Sequence, residues 1–367
     1  MRALAEIIQQ NPGAWLAWGG LLIGIVFGYV VYRTNFCTMG AISDFVNLGD
    51  WRRFRAWILS TAIAIIGVQV LVATGALPLG KTMYLAPSLN WLGNILGGVL
   101  FGYGMVFAGG CASRNLTRIG GGDLRSVVTL LVMALFAFVA IGGLLGPIRA
   151  WAEQLTSINL AFLGVTTQSV GDIVGVVTRV GVRTGNMIVA AALVAAAFVY
   201  CFKDQEFRSS PIHIISGVAI GLIVTAGWAL TGLAFDELAE KTVAPISLTY
   251  VRPTADAFDW LQRFTAGRMP GFGVTTVFGA IIGAFVAAKS MGRFKWESFG
   301  SVPEMRRNMM GSALMGVGSV LALGCTVGQA ITGASTLALG SFLTFAGIVW
   351  GGVRGMKKME AIMMDEV

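Results

Sequence analysis

Charge is scarce in this chain, and histidine nearly absent. Only 12% of its 367 residues are Asp, Glu, Lys or Arg, against roughly 25% in soluble domains. The single histidine, His213, and four dispersed cysteines without a CxxC pair give no zinc-ligand spacing. The same dispersal gives no disulfide framework. No metal, cofactor or catalytic residue set is therefore expected. A soft-metal channel is disfavoured too, because the 16 methionines are scattered rather than set beside the cysteines. The first residues lack a small-residue cleavage pattern, so no cleavable signal is expected.

What the chain has is apolar length. Its hydrophobic share is 56% with mean hydropathy +0.76, and 50 residues are glycine. Glycine at this frequency suits membrane helices that pack closely. A bilayer crossing needs about 20 apolar residues as helix. About nine runs without a charged residue qualify: 13–32, 57–76, 92–110, 126–147, 185–202, 213–234, 271–288, 309–324 and 337–353. The expected fold is an all-α membrane protein, one integral transport domain over 1–367. An odd number of crossings puts the termini on opposite sides. With the C-terminus cytoplasmic, 17 of the 26 basic residues fall inside, as the positive-inside bias requires. The net charge of +8 then follows from topology rather than from nucleic-acid binding.

One stretch occurs twice. Asn94–Cys111 and Asn308–Cys325, 214 residues apart, share nine of eighteen positions: Asn, Gly, Leu, Gly, Gly, Val, Ala, Gly and Cys. Five crossings separate the copies, so they run in opposite directions. That parity predicts an inverted pseudo-two-fold repeat, the arrangement of many transporters. Repeat one covers about 13–147, repeat two about 213–353, and a linker helix lies at about 185–202.

Three segments after crossings are too polar and short to span: Asn35–Val46, Cys111–Ile119 and Cys325–Ser335. Short re-entrant half-helices fit them, since irregular backbone at membrane depth is tolerated only inside protein or a watery cavity. Helix N-termini there attract anions without charged side chains. Cys37, Cys111 and Cys325 sit at the three starts and are the candidate permeation residues. Asn35, Thr38, Ala112, Thr326 and Gln329 beside them are secondary candidates. The repeat places 246–263 as the fourth such segment, without a cysteine. Cys201 lies inside the fifth crossing and reads as structural. Asp44 is the sole acid near the path and reads first as a capping or loop-facing carboxylate.

The elements Arg33-Thr-Asn-Phe-Cys37, Phe107-Ala-Gly-Gly-Cys111, Leu323-Gly-Cys-Thr-Val-Gly-Gln329 and Ala287-Ala-Lys-Ser290 resemble the YeeE/YedE sulfur-transport family along nearly the whole chain. The resemblance implies import of thiosulfate across a bacterial inner membrane, with a periplasmic N-terminus and a cytoplasmic C-terminus. It implies an inverted-repeat bundle in which thiols pass the anion by S–H···S contacts. Cys325 would lie outside, with Cys111 and Cys37 toward the cytoplasm in either order. It also implies delivery to a small cytosolic carrier that holds a persulfide, for cysteine synthesis. The basic loop 289–307 is a candidate dock for it and reads first as an ordinary positive-inside loop. The long segments 148–184 and 235–270, with Trp151, Asp172, Arg252 and Trp260, depart from a plain bundle and could alter the substrate. Another sulfur or selenium anion, or a membrane thiol-dependent sulfurtransferase, remains an alternative. The absence of spanning acids favours a channel-like permease drawn by consumption inside. An inside-negative potential of ~100 mV opposes a dianion by roughly 4.6 kcal/mol.

Overall fold

The computed structural model describes residues 2–239, 242–266 and 269–365. Among these, nine long helices are numbered here in chain order: α1 Pro12–Thr34, α2 Arg52–Ala73, α3 Trp91–Phe107, α4 Leu124–Ile141, α5 Val182–Phe202, α6 Pro211–Leu233, α7 Phe272–Ser290, α8 Val302–Leu321 and α9 Leu339–Asp365. Local signals set their starts. Asn11 caps α1 by accepting from the Ala14 N–H at 3.3 Å, with Pro12 in the first turn. Asn90 does the same for α3 through the Gly93 N–H at 3.0 Å.

The chain is a multi-pass membrane protein. Seven helical segments are long and apolar enough to cross a bilayer: Pro12–Leu48, Arg52–Ala73, Trp91–Gly121, Leu124–Ile141, Val182–Phe202, Pro211–Leu233 and Phe272–Ser290. The eighth and ninth expected crossings fall on α8 and α9. α8 carries Glu304, Arg306 and Arg307 in its first turns, and α9 carries Arg354, Lys357 and Lys358. Those charges keep both helices out of the set of seven.

The long helices meet through glycine. A Cβ on Gly28 would sit 2.0 Å from the Ala280 carbonyl oxygen, and one on Gly283 would sit 1.9 Å from that of Ile25, so α1 and α7 touch backbone to backbone. α2 packs on α6 where Gly217 meets Ala56 and Gly221 meets Ser60. α3 packs on α9 through Gly102 and Ile348, and α8 on α4 through Gly316 and Met133. In the centre α3 and α8 cross each other, Gly97 against Gly318 and Gly104 against Gly311. Approach this close gains dispersion contacts that lipid tails cannot supply. α5 is the least embedded, with 17% of its apolar window buried against 39–61% for the other six segments.

The segments between crossings are structured. Segment 148–184 holds most of the helix Gly146–Thr156, the helix Val170–Val177, and a strand Ser157–Asn159 that pairs antiparallel with Ser88–Asn90. Segment 235–270 holds the helix Val251–Gln262. Three further short helical pieces follow the cysteines. They are Thr38–Ser43 running into a π-helical turn Asp44–Leu48, Ala112–Gly121, and the π-helical turn Val327–Gly333. π-helical turns widen the backbone and concentrate at functional sites.

Candidate functional site

The three cysteines share one local construction. Each follows, by two positions, a residue in the left-handed region: Asn35 at φ 55°, Gly109 at φ 71° and Leu323 at φ 56°. That residue ends the preceding long helix, and the chain re-enters helix at or just after the cysteine. Leu323 occupies the repeat position of Gly109, so a leucine there accepts a conformation that costs a side-chain-bearing residue about 1–2 kcal/mol. Gly110 is held at φ 156°, and a Cβ there would lie 3.2 Å from Arg114 Cβ. Gly110→Ala should therefore destabilise the protein by about 2 kcal/mol and shift the Cys111 thiol. Thermal unfolding of the detergent-solubilised protein checks this, and a melt unchanged from wild type would contradict it.

Side-chain amides hold two of these turns. Asn115 Nδ2 donates to the Gly110 carbonyl at 2.9 Å, and its Oδ1 accepts from Ser126 at 2.9 Å. Gln329 Nε2 donates to the Ala322 carbonyl at 2.5 Å, and its Oε1 accepts from Ser341 at 2.6 Å. Asn115 and Gln329 are 214 residues apart, the spacing of the repeat. Gln329 thus spends its amide on the turn. Asn115 escaped the sequence reading, although the repeat offset points to it. Asn308 adds a third brace, donating to the Ala108 carbonyl at 3.1 Å.

All four cysteines are buried and unpaired by disulfides. Cys325 Sγ accepts from two backbone N–H groups, Tyr250 and Gly328, each at 3.4 Å. Thr249 Oγ1 stands 3.8 Å from it. The next residue, Thr326, lies near the Cys111 thiol, and its buried hydroxyl has no hydrogen-bond partner among the described residues. Cys111 Sγ is 3.4 Å from Ser113 Oγ and interacts directly with the Cys37 thiol. Cys37 Sγ accepts from the Gly40 N–H at 3.5 Å. The fold therefore brings Cys37 and Cys111 together, with Cys325 one residue beyond the Thr326 contact. Cys201 lies elsewhere, donating to the Arg55 carbonyl at 3.3 Å.

Unpartnered donors surround the thiols. Among the buried hydroxyls without a hydrogen-bond partner are those of Thr38, Thr326, Tyr84 and Tyr250. Burial, and then the nearby Cys325, raise both phenol pKa values, so both tyrosines remain protonated donors. Their sequence neighbourhoods carry no motif, and the sequence reading missed both. Ala112 is the buried first residue of its helix. Asp44 pairs with Arg53 at 3.1 Å, in keeping with a capping or loop-facing carboxylate.

Close to Cys37 in the fold is a basic cavity, called here the vestibule. Arg114 and Arg118 act on the Cys37 thiol electrostatically. Both line a cavity of about 390 Å³ together with Asn35, Arg33, Arg125, Arg293 and Lys295, against only Asp123 and Glu297. The 291–301 connection is strapped beside it: Lys295 N–H donates to the Gly121 carbonyl, and Glu297 N–H to that of Gly122, each at 3.1 Å. A larger apolar groove of about 910 Å³ between α2 and α5 contains none of the cysteines.

The chain is similar in sequence to known transport proteins. The family model described as "Sulphur transport" matches residues 33–354. "Thiosulfate transporter TsuA" of Escherichia coli K12 is 28% identical over 327 residues, covering 85% of this chain and 86% of that protein. The protein of the same name from Spirochaeta thermophila is 27% identical over 329 residues, covering 89% and 94%. "Probable transporter YedE" of Escherichia coli K12 is 31% identical over 105 residues, covering 29% of this chain and 24% of that protein.

Proposed function

The chain belongs to the sulphur transport family, and on that premise we propose that it imports thiosulfate through a thiol-lined path, as a permease rather than an enzyme. The observation that carries this reading is the clustering of buried thiols and hydroxyls, Cys111 near Cys37 and near Thr326, the neighbour of Cys325, with Arg114 and Arg118 of the basic cavity close to Cys37. Thiosulfate is a dianion with a soft terminal sulfur and three hard oxygens. Neutral thiols offer weak, repeated contacts to the soft end, which allow both entry and release. Arg114 and Arg118 wait at the far end, where the field of the membrane potential is hardest on an anion. The anion passes Cys325 first, then Cys111, then Cys37.

In this reading the membrane is the bacterial inner membrane, crossed nine times by α1–α9, with the N-terminus periplasmic. The packing supports an inverted repeat. Shifting one repeat onto the other by 214 residues turns the Gly97–Gly318 contact into Gly311–Gly104, which is also present. Matching the helices in chain order, α1–α4 with α6–α9, turns α1·α7 into α6·α2, and α3·α9 into α8·α4, all four of them observed pairings. The glycine contacts also run in step along α1 and α7, as expected for helices crossing in the same direction. A cytosolic carrier whose thiolate takes the outer sulfur of thiosulfate, forming a persulfide and releasing sulfite, would dock at the vestibule, where Arg293 and Lys295 meet the exposed Trp296. Consumption there would feed cysteine synthesis and draw the flux inward.

Counterflow of labelled thiosulfate in proteoliposomes tests the proposal. Preloaded vesicles should accumulate label with or without a proton gradient, and the label should be recovered chemically unchanged. Absence of counterflow would sink the transport reading, and label recovered as a different sulfur species would favour the sulfurtransferase.

A further inference from the structure

Thiosulfate has two unlike ends, and a thiol relay accounts for only one of them. The oxygens carry much of the charge and need hard donors, since burying them without hydrogen bonds is costly. The surroundings of Cys325 contain such donors, drawn from two separate segments. Tyr84 comes from a short turn, Met83–Leu85, between α2 and α3. Its ring stands edge-on to Trp228 at 6.2 Å. Tyr250 immediately precedes the helix Val251–Gln262, and its ring lies 4.9 Å from that of Phe27. Both residues are fully or almost fully buried, at 3% and 0% exposure. Tyr250 donates its own backbone N–H to the Cys325 sulfur at 3.4 Å, the Tyr84 ring packs against Gly333 in the turn that follows Cys325, and neither hydroxyl has a hydrogen-bond partner among the described residues. Two orphaned phenols beside one thiol need an explanation, because buried polar groups are normally satisfied. The Cys325 sulfur meanwhile accepts from two N–H groups, and its S–H has the long 3.8 Å contact to the Thr249 hydroxyl to exchange for an incoming soft atom.

We propose that the Tyr84 and Tyr250 hydroxyls donate to the oxygens of the anion held at Cys325, so that this station reads both ends of its substrate. The inference rests on the transport reading above and narrows its substrate class. The site takes anions that combine a soft terminal chalcogen with a sulfonate head, and it rejects hydrosulfide, which has no oxygens. Neutral phenols suit the task. They bind the oxygens by hydrogen bonds yet add no fixed positive charge that would trap a dianion. Tyr84 and Tyr250 are specificity-determining residues in this scheme, while Cys325 remains the transfer contact.

The test is the Tyr84→Phe/Tyr250→Phe double variant, which keeps both rings and their packing. In proteoliposomes its KM for thiosulfate should rise at least about tenfold, the usual effect of losing hydrogen bonds to a charged ligand, with Vmax within about twofold of wild type. Hydrosulfide should compete about tenfold better relative to thiosulfate than it does in wild type, because the oxygen-dependent advantage is gone. An unchanged KM, or an unchanged competition ratio, would overturn the inference. A binding measurement guards against a folding artefact. Thiosulfate should raise the melting temperature of purified wild type but not of the double variant, and equal shifts would overturn the inference. Failure of wild type itself to transport thiosulfate would instead remove the underlying reading.

Discussion

Replacing Cys111 by Ala is expected to lower thiosulfate uptake about a hundredfold, the kinetic equivalent of losing nearly 3 kcal/mol from a charged hydrogen bond. Cys111 stands between the other two thiols. It lies close to the Cys37 thiol and to Thr326, the neighbour of Cys325. Every other feature of its turn stays intact in the variant, because Asn115 and Arg118 brace the backbone through the Gly109 and Gly110 carbonyls. What disappears is the one soft donor that both neighbours can reach. A dianion leaving Cys325 would then cross a gap lined by a methyl group. Cys111→Ser should fall between the two, because a hydroxyl can donate but is a poor match for sulfur. Cys201→Ala should retain wild-type uptake, since its thiol donates to the Arg55 carbonyl, away from the other three cysteines. Initial uptake rates at equal protein density in proteoliposomes decide the matter. Activity of Cys111→Ala within about threefold of wild type would remove the thiol relay.

Gly28→Val is expected to have the largest effect on the fold. The first atom of the new side chain would sit 2.0 Å from the Ala280 oxygen, which belongs to backbone and cannot swing away. α1 and α7 would have to separate along their whole contact, losing the reciprocal approach of Gly283 to Ile25 as well. Overpacking of this kind costs about 3 kcal/mol or more. The expected outcome is a low yield of monodisperse protein and a much lower melting temperature. Gly13→Val is the matched control, because nothing lies within 4 Å of its Cβ position. Indistinguishable melts for the two variants would show that this crossing is not tightly packed.

Much of the site was legible in the sequence because it is local. Cys37, Cys111 and Cys325 each announce the end of an apolar run, and the structure has a helix end and a short helical turn at each. The glycines of the doubled Asn94–Cys111 stretch form the α3–α8 crossing, a pairing that the repeat alone does not specify. Tyr84 and Tyr250 were not legible. Each is an ordinary aromatic residue in a connecting segment, and only the folding of two distant segments onto Cys325 makes their hydroxyls conspicuous. Gln329 shows the reverse. A polar residue beside a thiol invites a substrate role, yet its amide is committed to Ala322 and Ser341. Charge marked the limit for α8 and α9. Composition alone separates apolar crossings, and it is weakest where basic residues sit on the same helix as the apolar turn.

The glycine crossings bear on what can move. Where backbones touch at Gly28, Gly283, Gly102 and Gly316, one half of the molecule has no slack to rock against the other. The mobile parts are then the few residues around the thiols, chiefly the widened turns Asp44–Leu48 and Val327–Gly333. A transporter built this way resembles a fixed frame with small shutters. Its turnover should follow local loop fluctuations, on the scale of nanoseconds to microseconds. It should depend little on membrane thickness or lateral pressure, to which proteins that swing whole domains respond strongly.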